Sequence, residues 1–209
     1  MKKILFIVML VLVSLSSLVA NEINKRKVYA LECSNNLVFT VSLEEGVAWL
    51  FLPEDTLSFK AEDSKRCNKF SKGDNFIGFK DDLAYLKLNA KTYHCQNNRK
   101  KSIIEKAKLD GYDFRATGNE PGWTLLIIGD TIIYSGDYGT TNYTFKKSKY
   151  ITNKEEKYTI YTANTKEHKL SLKLEGKACL DTMSDDSYET SVSLEIDGKK
   201  LLGCGMALH

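Results

Sequence analysis

The chain has 209 residues, of which 43% are hydrophobic and 27% charged, and its formal net charge at pH 7 is +3. A charge so close to neutral gives no electrostatic reason to expect a nucleic acid as partner. The chain holds three histidines and five cysteines, with no CxxC or HxxxH spacing. The spacing of cysteines and histidines therefore gives no zinc-site motif, and no cofactor is predicted.

The first twenty residues have the layout of a secretory signal peptide. Lys2 and Lys3 precede a nearly unbroken apolar run over residues 4–13, and small residues lead to Ala20. The run is shorter than the roughly 20 residues that a membrane span requires. We expect residues 1–20 to be cleaved, which lowers the formal charge from +3 to +1. The mature protein would be periplasmic or secreted, without a stable membrane span; the alternative is an uncleaved N-terminal anchor.

All five cysteines lie beyond the predicted signal, which favours disulfides formed in an oxidising compartment. No cysteine lies near the predicted cleavage site, so a lipid-modified cysteine is not expected. Several pairings are formally possible. The simplest assignment places one bridge in each half of the chain, Cys33–Cys95 and Cys179–Cys204. Each would stabilise a small domain by roughly 3–4 kcal/mol, and Cys67 would be left over.

Alternating apolar and polar residues predict strands on both sides of a basic segment, residues 97–110, which has helical character. The alternating stretches are centred on Val41, Leu86, Leu172 and Leu194. Gly129-Asp130 separates two apolar runs, and Asp197-Gly198, which follows an alternating stretch, is a two-residue hairpin signal. The sequence therefore predicts an all-β protein with two domains, residues 28–96 and 111–209, joined by a basic linker.

The first domain carries motifs at both of its ends. Residues 28–33 read VYALEC, residues 79–86 read FKDDLAYL, and residues 93–95 read YHC. These motifs resemble the bacterial inhibitors of c-type lysozyme, in their membrane-bound and periplasmic forms. The resemblance covers nearly all of residues 28–96. It implies a small antiparallel β-barrel that inserts a serine and a lysine into the lysozyme cleft.

The resemblance assigns the lysozyme-binding pair to Ser64 and Lys80. Lys80 lies four residues before the alanine of the A-x-L motif, and Ser64 lies in the segment EDSKRC. The sequence departs from the family at Lys65, at Asp81 and at Gly78, which stands where the family has tryptophan. A rival alignment uses the literal KGD at residues 72–74, but its distance to Ala84 does not fit.

The second domain carries the motif GNEPGW at residues 118–123 and the motif CLDTMSDDSY at residues 179–188. Both resemble an uncharacterised domain of bacterial envelope proteins, which implies export and a β-fold but no activity. Glu120 and Asp181 are a candidate acid/base pair, and Asp181 with Asp185 and Asp186 a candidate cation site. Turn formation by these side chains is the favoured interpretation.

The sequence as a whole predicts a periplasmic inhibitor that binds c-type lysozyme as its protein partner, without catalysis or cofactor. The first alternative is an envelope-binding module, for peptidoglycan or an envelope protein, that does not inhibit. The second is an enzyme that acts on an envelope substrate through residues 111–209. No triad, metal or phosphate-loop motif supports the enzyme.

Overall fold

The computed structural model describes residues 26–62 and 68–209. The predicted signal peptide, Ser64 and Cys67 lie outside these described residues. The chain divides into two units, the first ending at Lys106 and the second beginning at Ala107. Each unit is a closed barrel of eight antiparallel strands, which confirms the predicted all-β fold.

The first barrel is an up-and-down meander in which each strand pairs with the next one along the chain and β8 pairs back with β1. Its strands are β1 (Lys27–Cys33), β2 (Val38–Glu44), β3 (Val47–Phe51), β4 (Thr56–Ala61), β5 (Asn68–Lys72), β6 (Asn75–Lys80), β7 (Leu83–Leu88) and β8 (Lys91–Asn97). Closure leaves no free sheet edge, and every second side chain points into the barrel. The fully buried interior includes Val41, Leu50, Phe59, Ile77 and Leu86.

The first barrel closes over a short seam between β1 and β8. Three residue pairs form this seam, and the last of them places Cys33 directly opposite Cys95. The two cysteines form a disulfide, as the sequence assignment paired them. The covalent bond therefore reinforces a short strand pairing, the one that closes the barrel.

One helix, α1 (Arg99–Leu109), follows the first barrel. Asn98 caps it, since its side-chain oxygen accepts a hydrogen bond from the Lys101 amide at 3.1 Å. The buried hydroxyl of Ser102 accepts a bond from the Ala30 amide at 2.8 Å and donates to the Asn97 side chain at 2.6 Å. The first turns of α1 are thus fixed to β1 and β8.

The second barrel has the strand order β9-β10-β11-β12-β13-β14-β17-β18, and β18 pairs back with β9. Its strands are β9 (Phe114–Asn119), β10 (Gly122–Ile128), β11 (Thr131–Gly136), β12 (Thr141–Asn153), β13 (Tyr158–Asn164), β14 (Lys169–Glu175), β17 (Thr190–Ile196) and β18 (Lys199–Ala207). The short hairpin of β15 (Cys179–Asp181) and β16 (Asp186–Tyr188) stands apart from the barrel sheet. The disulfide Cys179–Cys204 joins it to β18.

The predicted hairpin turn at Asp197-Gly198 is confirmed, and the break at Gly129-Asp130 is also a hairpin turn. Gly129-Asp130 joins β10 to β11, and Asp197-Gly198 joins β17 to β18 with positive φ angles of 51° and 83°. Aspartate and glycine tolerate this backbone region better than most residues.

Over residues 26–62 and 68–209, no helix combines the length and apolar character that a membrane span requires.

Candidate functional site

Lys80 is the last residue of β6 and is exposed at one end of the first barrel. The two-residue turn Asp81-Asp82 follows it, and Asp81 adopts a positive φ of 54°. The side chains of Ile77 and Phe79 belong to the barrel core, so alternation directs Lys80 outward. Among the described residues its ammonium group has no hydrogen bond or ion pair, which leaves the charge available to a partner.

The turn after Lys80 is anchored through Asp82. The Arg99 guanidinium forms two hydrogen bonds with the Asp82 carboxylate, the one from Nε being 3.0 Å long. The backbone amide of Asn97 donates to the Asp82 carbonyl at 2.7 Å. The Arg99 hydrogen bond, which outweighs desolvation and is aided by the Asn97 side-chain amide, holds the pKa of the Asp82 carboxyl below its ordinary value. The start of α1 and the end of β8 therefore fix the position from which Lys80 projects.

An aromatic cluster lies inside the barrel at this end. The rings of Tyr29 and Phe79 stack with centroids 4.6 Å apart, and Phe70 meets Phe79 edge-on at 6.3 Å. Burial, and then the charge of Asp82, raise the pKa of the Tyr29 phenol. Because Phe79 precedes Lys80, this packing gives the lysine a rigid backbone support.

Ser64 belongs to the connection 63–67 between β4 and β5, which lies outside the described residues. The flanks of that connection are described: the Glu62 amide donates to the Lys69 carbonyl at 2.9 Å. In the register of β5 and β6, Asn68 lies opposite Phe79, the neighbour of Lys80. The chain therefore enters and leaves the connection at the end of the barrel where Lys80 lies.

The rival lysine, Lys72, lies elsewhere. It ends β5, and the turn Gly73-Asp74 after it precedes β6. Since Lys80 ends β6 and Asn75 begins it, residues 72–74 are at the opposite end of the barrel from Lys80. Only Lys80 shares a barrel end with the residues that flank the connection 63–67.

The outer surface beside Lys80 is partly apolar. Leu83 pairs with Lys80, and Tyr85 pairs with Gly78; their side chains are 46% and 40% exposed. A Cβ atom built on Gly78 would meet no atom within 4 Å. Gly78, where the family resemblance expects tryptophan, thus has free space on its outer side for a side chain. No motif assigns a role to Leu83 and Tyr85 in the sequence, although their alternation with the buried Ala84 and Leu86 indicates an outward face.

In the second barrel the two motifs meet through Asn119 and Asp181. The Asn119 side-chain amide donates to the Asp181 carboxylate at 2.5 Å, across 62 residues of sequence. The Met183 amide donates to the same carboxylate at 3.0 Å, as in a turn closed by an aspartate. Burial opposes the Asp181 charge, but these bonds outweigh it, and the pKa of the carboxyl lies below its ordinary value.

The candidate acid/base and cation sites are not assembled in the described part of the chain. Asn119 contacts Asp181, whereas Glu120 is exposed and has no described bond to it. Ser184 donates to Asp186 at 2.7 Å, which is a local turn contact. Within residues 26–62 and 68–209, no group of three or more acidic, histidine or cysteine side chains could hold a metal ion. The arrangement around Asp181 supports turn formation.

Replacing Asn119 with alanine should lower the free energy of unfolding of the second barrel by about 1–2 kcal/mol at pH 7. The Asp181 carboxylate would lose a hydrogen bond made only in the folded state. Because the folded pKa of Asp181 is depressed, this contribution is present above the ordinary aspartate pKa and is lost as pH falls through the folded value.

Denaturant unfolding at pH 7 and in acid tests this expectation. The difference in the free energy of unfolding between the wild type and Asn119→Ala should shrink as the pH falls below about 4. Glu120→Ala is the matched control, and we expect it to change stability by less than about 0.5 kcal/mol. If the loss of unfolding free energy in Asn119→Ala stays constant with pH, the proposed role of the Asp181 charge is ruled out.

No family model matches the chain, and no match is found among curated proteins or solved structures. Its own structure defines its class: an all-β protein of two closed eight-stranded barrels, each with one disulfide.

Proposed function

We propose that this protein is a periplasmic inhibitor of c-type lysozyme, with the first barrel binding in the lysozyme cleft through Lys80 and Ser64. The position of Lys80 is the main support. Its ammonium group is exposed, free of described partners, and held on an anchored turn at the barrel end that receives the connection carrying Ser64. The family resemblance of residues 28–96 assigns the same two residues.

The chemistry fits the target. A lysozyme cleft contains two carboxyl groups, at least one of them ionised. A lysine ammonium is compact and stands on a long stem, so it can reach between them and form charge-assisted hydrogen bonds. A serine hydroxyl can donate to a carboxylate oxygen and accept from an amide. The activity would be stoichiometric binding without catalysis or cofactor.

Lysozyme titration tests this function. Purified mature protein is added to c-type lysozyme acting on a cell-wall suspension, and the clearing rate is recorded. We expect inhibition at micromolar protein. Lys80→Ala should weaken the inhibition by more than about tenfold, because a lysozyme carboxylate in the water-poor cleft loses its ion pair with the ammonium group.

Lys72→Ala is the matched control, since it removes the same side chain from the opposite end of the barrel. It should leave the inhibition unchanged. Absence of inhibition at micromolar excess would refute the proposal, and equal losses for Lys72→Ala and Lys80→Ala would refute the site.

A second candidate function is an envelope-binding module without inhibitory activity. Three large apolar side chains near the disulfide of the second barrel are more than half exposed: Leu180, Met183 and Leu202. Exposed apolar side chains close together favour binding to another surface. Sedimentation with purified peptidoglycan, combined with failure to slow lysozyme, would support this candidate over the inhibitor.

A further inference from the structure

The end of the first barrel opposite Lys80 contains a hollow of about 510 Å³. This volume lies in the range of roughly 300–1,000 Å³ that is typical of small-molecule sites. The floor consists of partly buried apolar side chains that pack on the barrel core: Leu37, Leu52, Leu57, Leu88 and Tyr93. The barrel interior beneath them is closed, because Leu50, Phe59 and Leu86 are at most 1% exposed. A ligand would therefore sit in the mouth of the barrel.

The rim of the hollow carries negative charge. Glu54 and Asp55, in the turn between β3 and β4, are exposed and line it. Among the described residues that line the hollow, none is cationic. The Asn75 side-chain oxygen is already engaged, since it accepts a hydrogen bond from the Asn89 backbone amide at 2.9 Å.

We propose that this hollow binds small amphipathic cations, molecules with a short apolar body and one protonated amine. The apolar body would cover the floor, where each buried methylene strengthens binding by about fourfold. The amine would lie at the rim, where the carboxylates of Glu54 and Asp55 attract it and repel an anion of the same shape. This site is independent of the proposed lysozyme contact, because Lys80 lies at the other end of β6.

Three probes of equal chain length test the proposal: octylamine, 1-octanol and octanoate. Each is titrated into the mature protein, and the NMR signals of the Leu88 methyl groups and the Tyr93 ring are followed. Octylamine should bind tightest and octanoate weakest, with saturable shifts confined to the hollow. The absence of a saturable shift at millimolar octylamine, or equal binding of octanoate, would overturn the proposal.

Charge removal at the rim tests the role of the carboxylates. The double variant Glu54→Gln/Asp55→Asn should weaken octylamine binding by about tenfold and leave 1-octanol binding unchanged. The Asp55 carboxylate accepts a hydrogen bond from the Thr56 amide at 2.7 Å. An asparagine keeps a side-chain oxygen for this bond, so the turn is preserved. Glu45→Gln, at the opposite end of the barrel, is the control and should have no effect. Unchanged octylamine affinity in the double variant would overturn the charge assignment.

Discussion

Replacing Cys33 and Cys95 with alanine should lower the free energy of unfolding of the first barrel by about 4 kcal/mol. The bond closes a loop across 62 residues, and in the chain-entropy model a loop of that length restricts the unfolded chain by about this amount. The bond also joins the two strands whose pairing closes the barrel and spans only three residue pairs. Without the bond, the seam keeps its three residue pairs and the contacts that the first turns of α1 make with β1 and β8.

Urea unfolding measures this effect for each barrel separately. The chain has two tryptophans, Trp49 in β3 and Trp123 in β10. Variants with Trp123→Phe or Trp49→Phe therefore report the fluorescence of one barrel each. Cys67→Ser serves as the common background, so that no thiol can exchange with the bridges.

The second disulfide provides the comparison. Cys179 and Cys204 are 25 residues apart, so their loss should cost the second barrel about 3.5 kcal/mol, less than the first. The loss of either bridge should leave the other barrel unchanged. A cost below about 1 kcal/mol for Cys33→Ala/Cys95→Ala would show that the seam is held by its other contacts.

Gly203→Ala should destabilise the second barrel by about 3 kcal/mol. A Cβ atom at this position would lie 2.2 Å from the Thr117 carbonyl oxygen and 2.6 Å from the Trp123 ring. The clash involves backbone, so it cannot be relieved by rotating a side chain, and β9 and β18 would have to separate where they close the barrel. The fluorescence of the buried Trp123 reports the resulting shift in the urea midpoint.

Gly78→Ala is the matched control for this prediction. Gly78 also lies in a strand, but its added Cβ would meet nothing within 4 Å and its φ is not positive. We expect this change to be neutral or to stabilise by up to about 1 kcal/mol, because alanine restricts the unfolded chain. If both variants lose the same stability, then crowding at Gly203 is not the cause.

Local patterns were enough to predict several of the strands. The alternation around Val41, Leu86 and Leu172 places apolar side chains on one face, and all three are fully buried. The Asp197-Gly198 signal marked its hairpin because only a few residue types favour its backbone angles. The assignment of one bridge to each half is confirmed, although the three cysteines of the first half allow other pairings. Ser64 and the signal peptide lie outside the described residues, so those expectations remain predictions.

The sequence by itself determined the all-β class and the strands with clear alternation, because these depend on neighbours in the chain and on residue chemistry. It favoured one pairing of the cysteines, which the structure has. The tertiary structure alone decided which strands close each barrel, since β1–β8 and β9–β18 pairing joins distant segments. It also decided that Asn119 rather than Glu120 meets Asp181, and that Lys80 and the acidic hollow lie at opposite barrel ends. These relations depend on register across the sheet, which a periodic pattern leaves open.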